Sequence, residues 1–190
     1  MRKGFTLVEL LIVIVVIGVL SAMMILSSTE AVSTAKATKV ISDMRVLKTA
    51  TLAWYMDNLD SIEDHAVGGD KGFHIKIGNT WQRIHEYLNK NPDAFTKYLG
   101  SGSLDLNKNI SWTSKTQTYA SEGGYSVYMG NTNTVCYVVY GVPKDTKLRA
   151  KLASRAKSAG LLNYVYGSKN QPGQYDGGDY LFMKVFSLAN

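Results

Sequence analysis

The chain has 190 residues, 45% of them hydrophobic and 19% charged, with a formal net charge of +6. That length suits one moderate domain plus an appendage, and the balance excludes general disorder. Cys136 is the single cysteine, so an intramolecular disulfide and a cysteine-based zinc site are both excluded, and three prolines leave no proline-rich linker.

The first element is MRKGFTLVELLIVIVVIGVLSAMMIL, in which Glu9 is the only charge between Phe5 and Leu26. As a helix this stretch reaches about 33 Å, enough to cross a hydrocarbon core of about 30 Å. Arg2 and Lys3 precede it, and the positive-inside rule keeps them cytoplasmic with the rest of the chain across the membrane. A secretory signal peptide starts in a similar way, and Ser21 and Ala22 offer small residues for its cleavage. However, the basic region is only MRKG, and a secretory apolar core has no use for Glu9. A carboxylate in hydrocarbon costs about 2.5–3.5 kcal/mol, so this one calls for a partner or for a place near the interface.

Gly4-Phe5 is a small-to-aromatic junction followed directly by Thr6, Leu7, Val8 and Glu9 and then by LLIVIVVIGVL. A short basic leader, a glycine, a phenylalanine and a glutamate at fixed offsets make a specific combination. On these residues the chain resembles the prepilin family, which comprises the type IV pilins and the pseudopilins of type II secretion. The resemblance implies cleavage between Gly4 and Phe5 by a prepilin peptidase and N-methylation of Phe5. It also implies pairing of Glu9 with the Phe5 amine of a neighbouring subunit. Such a pair serves register more than stability, because desolvation consumes much of the Coulomb gain.

The family further implies a homo-oligomeric filament, minor pilins, an assembly ATPase and a membrane platform protein. Membrane lipid surrounds the helix before assembly. The subunit starts in the cytoplasmic (inner) membrane as a single-pass protein with its C-terminal head outside, and ends in a cell-surface pilus or a periplasmic pseudopilus. Adhesion, motility, DNA uptake and protein secretion all remain open as roles. Relatives often carry a helix-breaking proline where this chain has Leu26, so a continuous helix is expected here.

Beyond Leu26, the residues Ala37, Val40, Ile41, Met44, Leu47, Thr51, Trp54 and Tyr55 recur at spacings of three and four, which is one face of a helix. The helical reading continues to about Asp57. It divides the chain into a leader (1–4), a transmembrane or filament-core half-helix (5–26), an amphipathic half-helix (27–58) and a globular head (59–190). DNLDSIEDHAVGGDKG reads as a loop with no helical or strand period. NTWQRIHEYLNK (79–90) reads as a short helix. Asn91-Pro92 reads as the N-terminus of a second one, PDAFTKYL, with Gly100 as its stop.

YSVYM and VCYVVYGV, separated by GNTNT, give a hairpin signal that Pro143 ends. KDTKLRAKLASRAKSAG follows as a helix with Leu148, Leu152, Ala156 and Ala159 on one face and Gly160 as its stop. NYVY and YLFMKVF supply two further strands. The expected fold is α+β and type IV pilin-like, with a long N-terminal helix on a small antiparallel sheet of about four strands and extra short helices.

No catalytic motif occurs. GxSxG, HExxH, Walker and GxGxxG patterns are absent, and GSGS at Gly100 to Ser103 lacks the lysine a phosphate loop needs. His65, His74 and His85 show no metal-ligand rhythm, and the acidic group Asp57, Asp60, Glu63 and Asp64 reads as a solvated loop. In YDGGDY, Asp176 and Asp179 flank two glycines and could turn two hard oxygen ligands to one point, as calcium favours. The stretch looks like the C-terminal calcium loop of some major pseudopilins, but a tight turn entering the last strand explains it equally well.

Twelve tyrosines and the basic helix bearing Lys144, Lys147, Arg149, Lys151, Arg155 and Lys157 raise DNA contact, against core packing and a solvated face as the plainer readings. The rival to a filament subunit is a single-pass, membrane-anchored binding protein that does not polymerise.

Overall fold

The computed structural model describes residues 5–66, 72–99, 111–113, 116–130, 134–163 and 173–188. One helix dominates it. α1 runs unbroken over Leu7–Asp57, 51 residues, so its axis is about 77 Å long. It starts at Thr6, an N-cap in extended conformation. From Leu7 to Ile25 all its residues are exposed, whereas Ala37, Val40, Ile41, Met44, Leu47, Ala50, Thr51 and Trp54 are buried along the second half. The expected apolar face is therefore the one that packs, and Tyr55 joins it half-buried against Phe186 with ring centroids 4.4 Å apart.

The sheet that receives this face has the strand order β6-β7-β10-β8-β9. Its strands are β6 (Tyr125–Gly130), β7 (Val135–Gly141), β8 (Leu161–Asn163), β9 (Gly173–Gln174) and β10 (Tyr180–Ser187), and every pairing is antiparallel. The β6–β7 hairpin closes through a Thr134 N–H donated to the Gly130 carbonyl, and 131–133 lie outside the described residues. β6 and β7 are buried at every position. Val127, Met129, Cys136, Val138 and Leu181 face the main core, while Tyr128, Tyr137, Val139 and Phe182 form a second cluster with Tyr119. Burial on both faces explains why VCYVVYG reads as a continuous apolar run without alternation. Cys136 is fully buried, and that burial pushes its thiol pKa up.

The head differs from the sequence expectation in four places. First, the expected loop after Asp57 contains a 3-10 turn (Leu59–Ser61) and β1 (Ile62–Asp64). β1 pairs with β2 (Phe73–Ile77), which pairs in turn with β3 (Thr80–Arg83). A three-residue strand is too short to show a period, and its partner supplies the order.

Second, the helix expected over 79–90 begins only at Ile84, as α2 (Ile84–Lys90). The preceding residues are taken by the β2–β3 hairpin, whose two-residue Gly78-Asn79 connection has Gly78 at φ +60°. A primed turn needs that positive φ, and Gly-Asn between FHIKI and TWQR was the available signal.

Third, Asn91 ends α2 instead of starting the next helix, because its side-chain amide donates back to the Tyr87 carbonyl at 2.8 Å. Pro92–Phe95 then form a 3-10 turn that leads into α3 (Thr96–Leu99), and Gly100 lies outside the described residues. Fourth, the sheet gains a fifth strand through β9. A further two-stranded sheet pairs β4 (Ser111–Thr113) with β5 (Thr116–Thr118). Of NYVY only Asn163 is described, and it ends β8.

The helix after Pro143 forms as expected, with one break. α4 (Thr146–Ser154) is separated from α5 (Ala156–Ala159) at Arg155, and Gly160 ends α5 at φ +68°. Asp145 caps α4, accepting from the backbone N–H of Lys147 and Leu148 at 3.0 and 3.1 Å. Leu148, Leu152 and Ala156 are buried on its inner face.

Candidate functional site

The site is the apolar end of α1. From Phe5 to Ile25 every residue is exposed, including Leu10, Ile14, Ile17 and Leu20 at the spacing of one face and Leu11, Val13 and Val16 on others. A helix that is apolar all round and covered by none of its own chain is built for a surrounding that is not water. By length and composition α1 can cross a membrane.

Glu9 has a local partner. Its Oε2 accepts from the Thr6 backbone N–H at 2.8 Å and from the Thr6 hydroxyl at 2.8 Å, while the Thr6 hydroxyl oxygen accepts from the Glu9 N–H at 3.3 Å. This is a reciprocal capping box, satisfying two backbone donors that a helix start leaves over. The carboxylate also lies where the positive end of the helix dipole favours it. Sequence reasoning placed Glu9 but missed Thr6, although Thr6-Leu7-Val8-Glu9 carries the T-x-x-E spacing. Phe5 is 90% exposed at the end of the chain's described part, and Gly4 lies outside the described residues.

Where the apolar stretch ends, α4 takes hold of α1. Lys151 Nζ pairs with the Glu30 carboxylate at 2.7 Å, Lys147 Nζ donates to the Thr29 hydroxyl at 3.0 Å, and Arg155 Nη1 donates to the Thr38 hydroxyl at 2.6 Å. These contacts advance along both helices in the same direction. The hydrogen bond and charge of Lys151 hold the Glu30 carboxyl below the usual carboxylate range. Higher up, Asp43 accepts from Lys39 at 2.7 Å and from the Tyr125 hydroxyl at 3.0 Å, which joins α1 to β6. Burial, with that bond second, raises the Tyr125 pKa.

Asp176 and Asp179 are engaged separately. Asp176 Oδ1 accepts from the Asn163 amide at 3.0 Å, and Asp179 Oδ1 accepts from Arg149 Nη2 at 2.7 Å. Arg149 also donates to the carbonyls of Pro143, Val142 and Gly177 at 2.9, 3.1 and 3.4 Å. Tyr175 lies beneath the turn and donates its hydroxyl to the Gly178 carbonyl at 2.8 Å, and burial pushes its pKa up to about 12. Among the described residues no group of three or more His, Cys, Asp and Glu side chains converges. The histidines are dispersed. His65 stacks on Trp81, His74 lies buried with Nδ1 2.8 Å from the Gly72 carbonyl, and His85 lies buried beside the Tyr128 ring. In the basic helix Lys144, Lys147 and Lys157 are exposed, and Lys147, Arg149, Lys151 and Arg155 bond within the chain through their side chains.

An exposed apolar helix that continues into a head-packing helix, capped through Thr6 and Glu9 and set on an antiparallel sheet, makes an α+β fold of the pilin-like kind. Comparison with known proteins agrees. The prokaryotic N-terminal methylation motif matches residues 1–25. Fimbrial protein Q of Moraxella bovis is 29% identical over 131 residues, covering 64% of this chain and 82% of that protein. No solved structure matches significantly.

Proposed function

We propose that this chain is the structural subunit of a type IV pilus-like filament. It is inserted in the cytoplasmic membrane with its head outside, cleaved between Gly4 and Phe5, methylated on Phe5 and polymerised through the apolar half of α1. The observation that carries this reading is the exposed apolar surface from Phe5 to Ile25, joined without a break to a helix that holds the head. Lipid tails cover that surface in the membrane and identical helices cover it in a fibre. Apolar contact is similar in both, so the net drive for transfer is small and polar groups decide register.

Glu9 is the group that decides it. In the unassembled subunit the Thr6 donors satisfy its carboxylate. In the fibre the methylated Phe5 amine of a neighbour joins or replaces them, bringing a full positive charge where water is scarce. A prepilin peptidase, an assembly ATPase, a membrane platform protein and minor pilins complete the machinery.

The rival reading, a membrane-anchored binding protein that stays monomeric, draws on the same capping box, since a locally satisfied Glu9 needs no neighbour. N-terminal mass spectrometry of the native chain separates the two. A mature chain beginning with N-methyl-Phe5, recovered from sheared filaments, is the expected result. An intact Met1 on a membrane-retained monomer would overturn it.

A further inference from the structure

The start of α4 bonds α1 just beyond the apolar stretch, at Thr29 and Glu30. Because α1 is unbroken from Leu7 to Asp57, each residue beyond the hydrocarbon adds about 1.5 Å along its axis. A hydrocarbon core of about 30 Å takes about 20 residues, and the headgroup layer beyond it is about 5–7 Å deep. Counted from Leu7 the core ends at Leu26; counted from Leu10, with Glu9 left at the interface, it ends at Thr29. On the first count Thr29 and Glu30 lie about 4–6 Å into the headgroup layer; on the second Thr29 closes the core and Glu30 is the first residue beyond it. They are the residues that Lys147 and Lys151 touch.

A cleft of about 310 Å³ opens here, lined by Glu30, Thr146, Lys147, Ala150, Lys151 and Ser154. Its lining carries two cations, Lys147 and Lys151, to one anion, Glu30. Asp145 is nearby, but its Oδ1 is turned to the first turn of α4.

We propose that this cleft seats the phosphate of an anionic phospholipid headgroup and so docks the head on the bilayer in the unassembled subunit. Lys147 is the principal cation, with Lys151 and the Thr146 hydroxyl beside it. The proposal rests on the reading that α1 spans the bilayer. Charge complementarity and continuity with the span both favour lipid as the occupant. The cleft is held at headgroup depth by a helix that leaves only Ser27 and Ser28 between Leu26 and the first contact.

The test uses the full chain in nanodiscs of phosphatidylcholine alone or mixed with phosphatidylglycerol, read by amide exchange over Thr146 to Lys151. Phosphatidylglycerol is expected to raise protection about fivefold, the factor for one lysine near an anionic surface, and high salt to remove the gain. Lys147→Gln is expected to abolish the increase, and Glu30→Gln to enlarge it by releasing Lys151. Equal protection in both discs would overturn the proposal, as would a gain that survives Lys147→Gln. So would the same protection from inorganic phosphate in detergent micelles, or protection that arises only in assembled filaments. Alkaline carbonate extraction separates the two levels. A chain that washes out fails the spanning reading, whereas one that stays inserted without a phosphatidylglycerol effect fails only the headgroup site.

Discussion

Arg149 and Asp179 form an ion pair of 2.7 Å across 30 positions of sequence, and the same guanidinium holds the carbonyls of Val142, Pro143 and Gly177. One side chain thus ties the end of β7 and the entry to α4 to the turn before β10. The Asp179 side chain is 71% exposed, so its pairing is screened and is worth about 0–1 kcal/mol. The carbonyl bonds come from a side chain only 20% exposed, and bonds to a charged donor contribute about 1.5–3 kcal/mol each. Arg149→Met is therefore expected to destabilise the head by several kcal/mol, Arg149→Lys by less, and Asp179→Asn by under about 1 kcal/mol. Urea unfolding of the purified chain in detergent checks the order.

The same wiring bears on calcium. Asp179 already faces a guanidinium and Asp176 an amide, so a bound cation would meet the positive charge of Arg149 beside one of its two ligands. Excess calcium or a chelator is expected to leave the melting temperature unchanged. A rise in calcium that Asp176→Asn abolishes would make this turn a cation site, because a ligand bound only by the folded state stabilises it.

At the helix start, Thr6→Val removes the hydroxyl half of the capping box but keeps the backbone donor to Glu9. Losing a cap of this kind costs about 1 kcal/mol. Amide exchange at Glu9 is expected to speed up about fivefold while membrane insertion holds. Glu9→Val is expected to leave insertion intact and to lower filament yield far more than Thr6→Val. Normal filaments from Glu9→Val would remove the role given to the carboxylate.

The α1–α4 junction carries a pH dependence. Lys151 lowers the Glu30 pKa, so the folded state binds this proton less readily than the unfolded chain. The resulting stabilisation is fully present above the ordinary carboxylate value of 4.5 and is lost as pH falls through the lower folded value. Asp57 behaves in the same way, held down by the Tyr98 hydroxyl and by Lys97. The stability differences between the native chain and Glu30→Gln or Asp57→Asn are expected to vanish in acid and to be constant from about pH 6 upward. Chemical unfolding across that range measures them.

Gly141 cannot carry a side chain. A Cβ built there overlaps the Ser121 carbonyl group, which is backbone and cannot swing aside. The close approach is fixed from both directions, by the Gly123 N–H donated to the Gly141 carbonyl at 2.7 Å and the Gly141 N–H donated to the Gly124 carbonyl at 3.0 Å. Gly141→Ala is expected to cost about 1–3 kcal/mol, the range for overpacking, whereas Gly173→Ala, which meets open space, is expected to change little. Thermal melts of the two variants make the comparison.

Features with a local pattern were legible in the chain. The apolar run, the three-and-four spacing from Ala37 to Trp54, the β6–β7 hairpin and the Leu148, Leu152 and Ala156 face each repeat over several turns or residues. β1 and β3 were not legible as strands, because three or four residues show no period until β2 is placed between them. Asn91 was misread because an amide near a proline can cap forward or backward, and only the position of Tyr87 settles which. Around the candidate site, Glu9 stood out as a lone charge, while its partner Thr6 was hidden in an ordinary spacing.

The amino-acid order alone determined that this protein has a helix too apolar for water, a glutamate near its start and a head of mixed helix and strand, since burial periodicity and charge are local properties. Tertiary structure alone decided that α4 grips α1 at Thr29 and Glu30, that Arg149 closes the last turn and that Gly141 lies against Ser121. Those contacts join residues far apart in the chain, and their geometry exists only once the apolar faces have packed and fixed the distances between them.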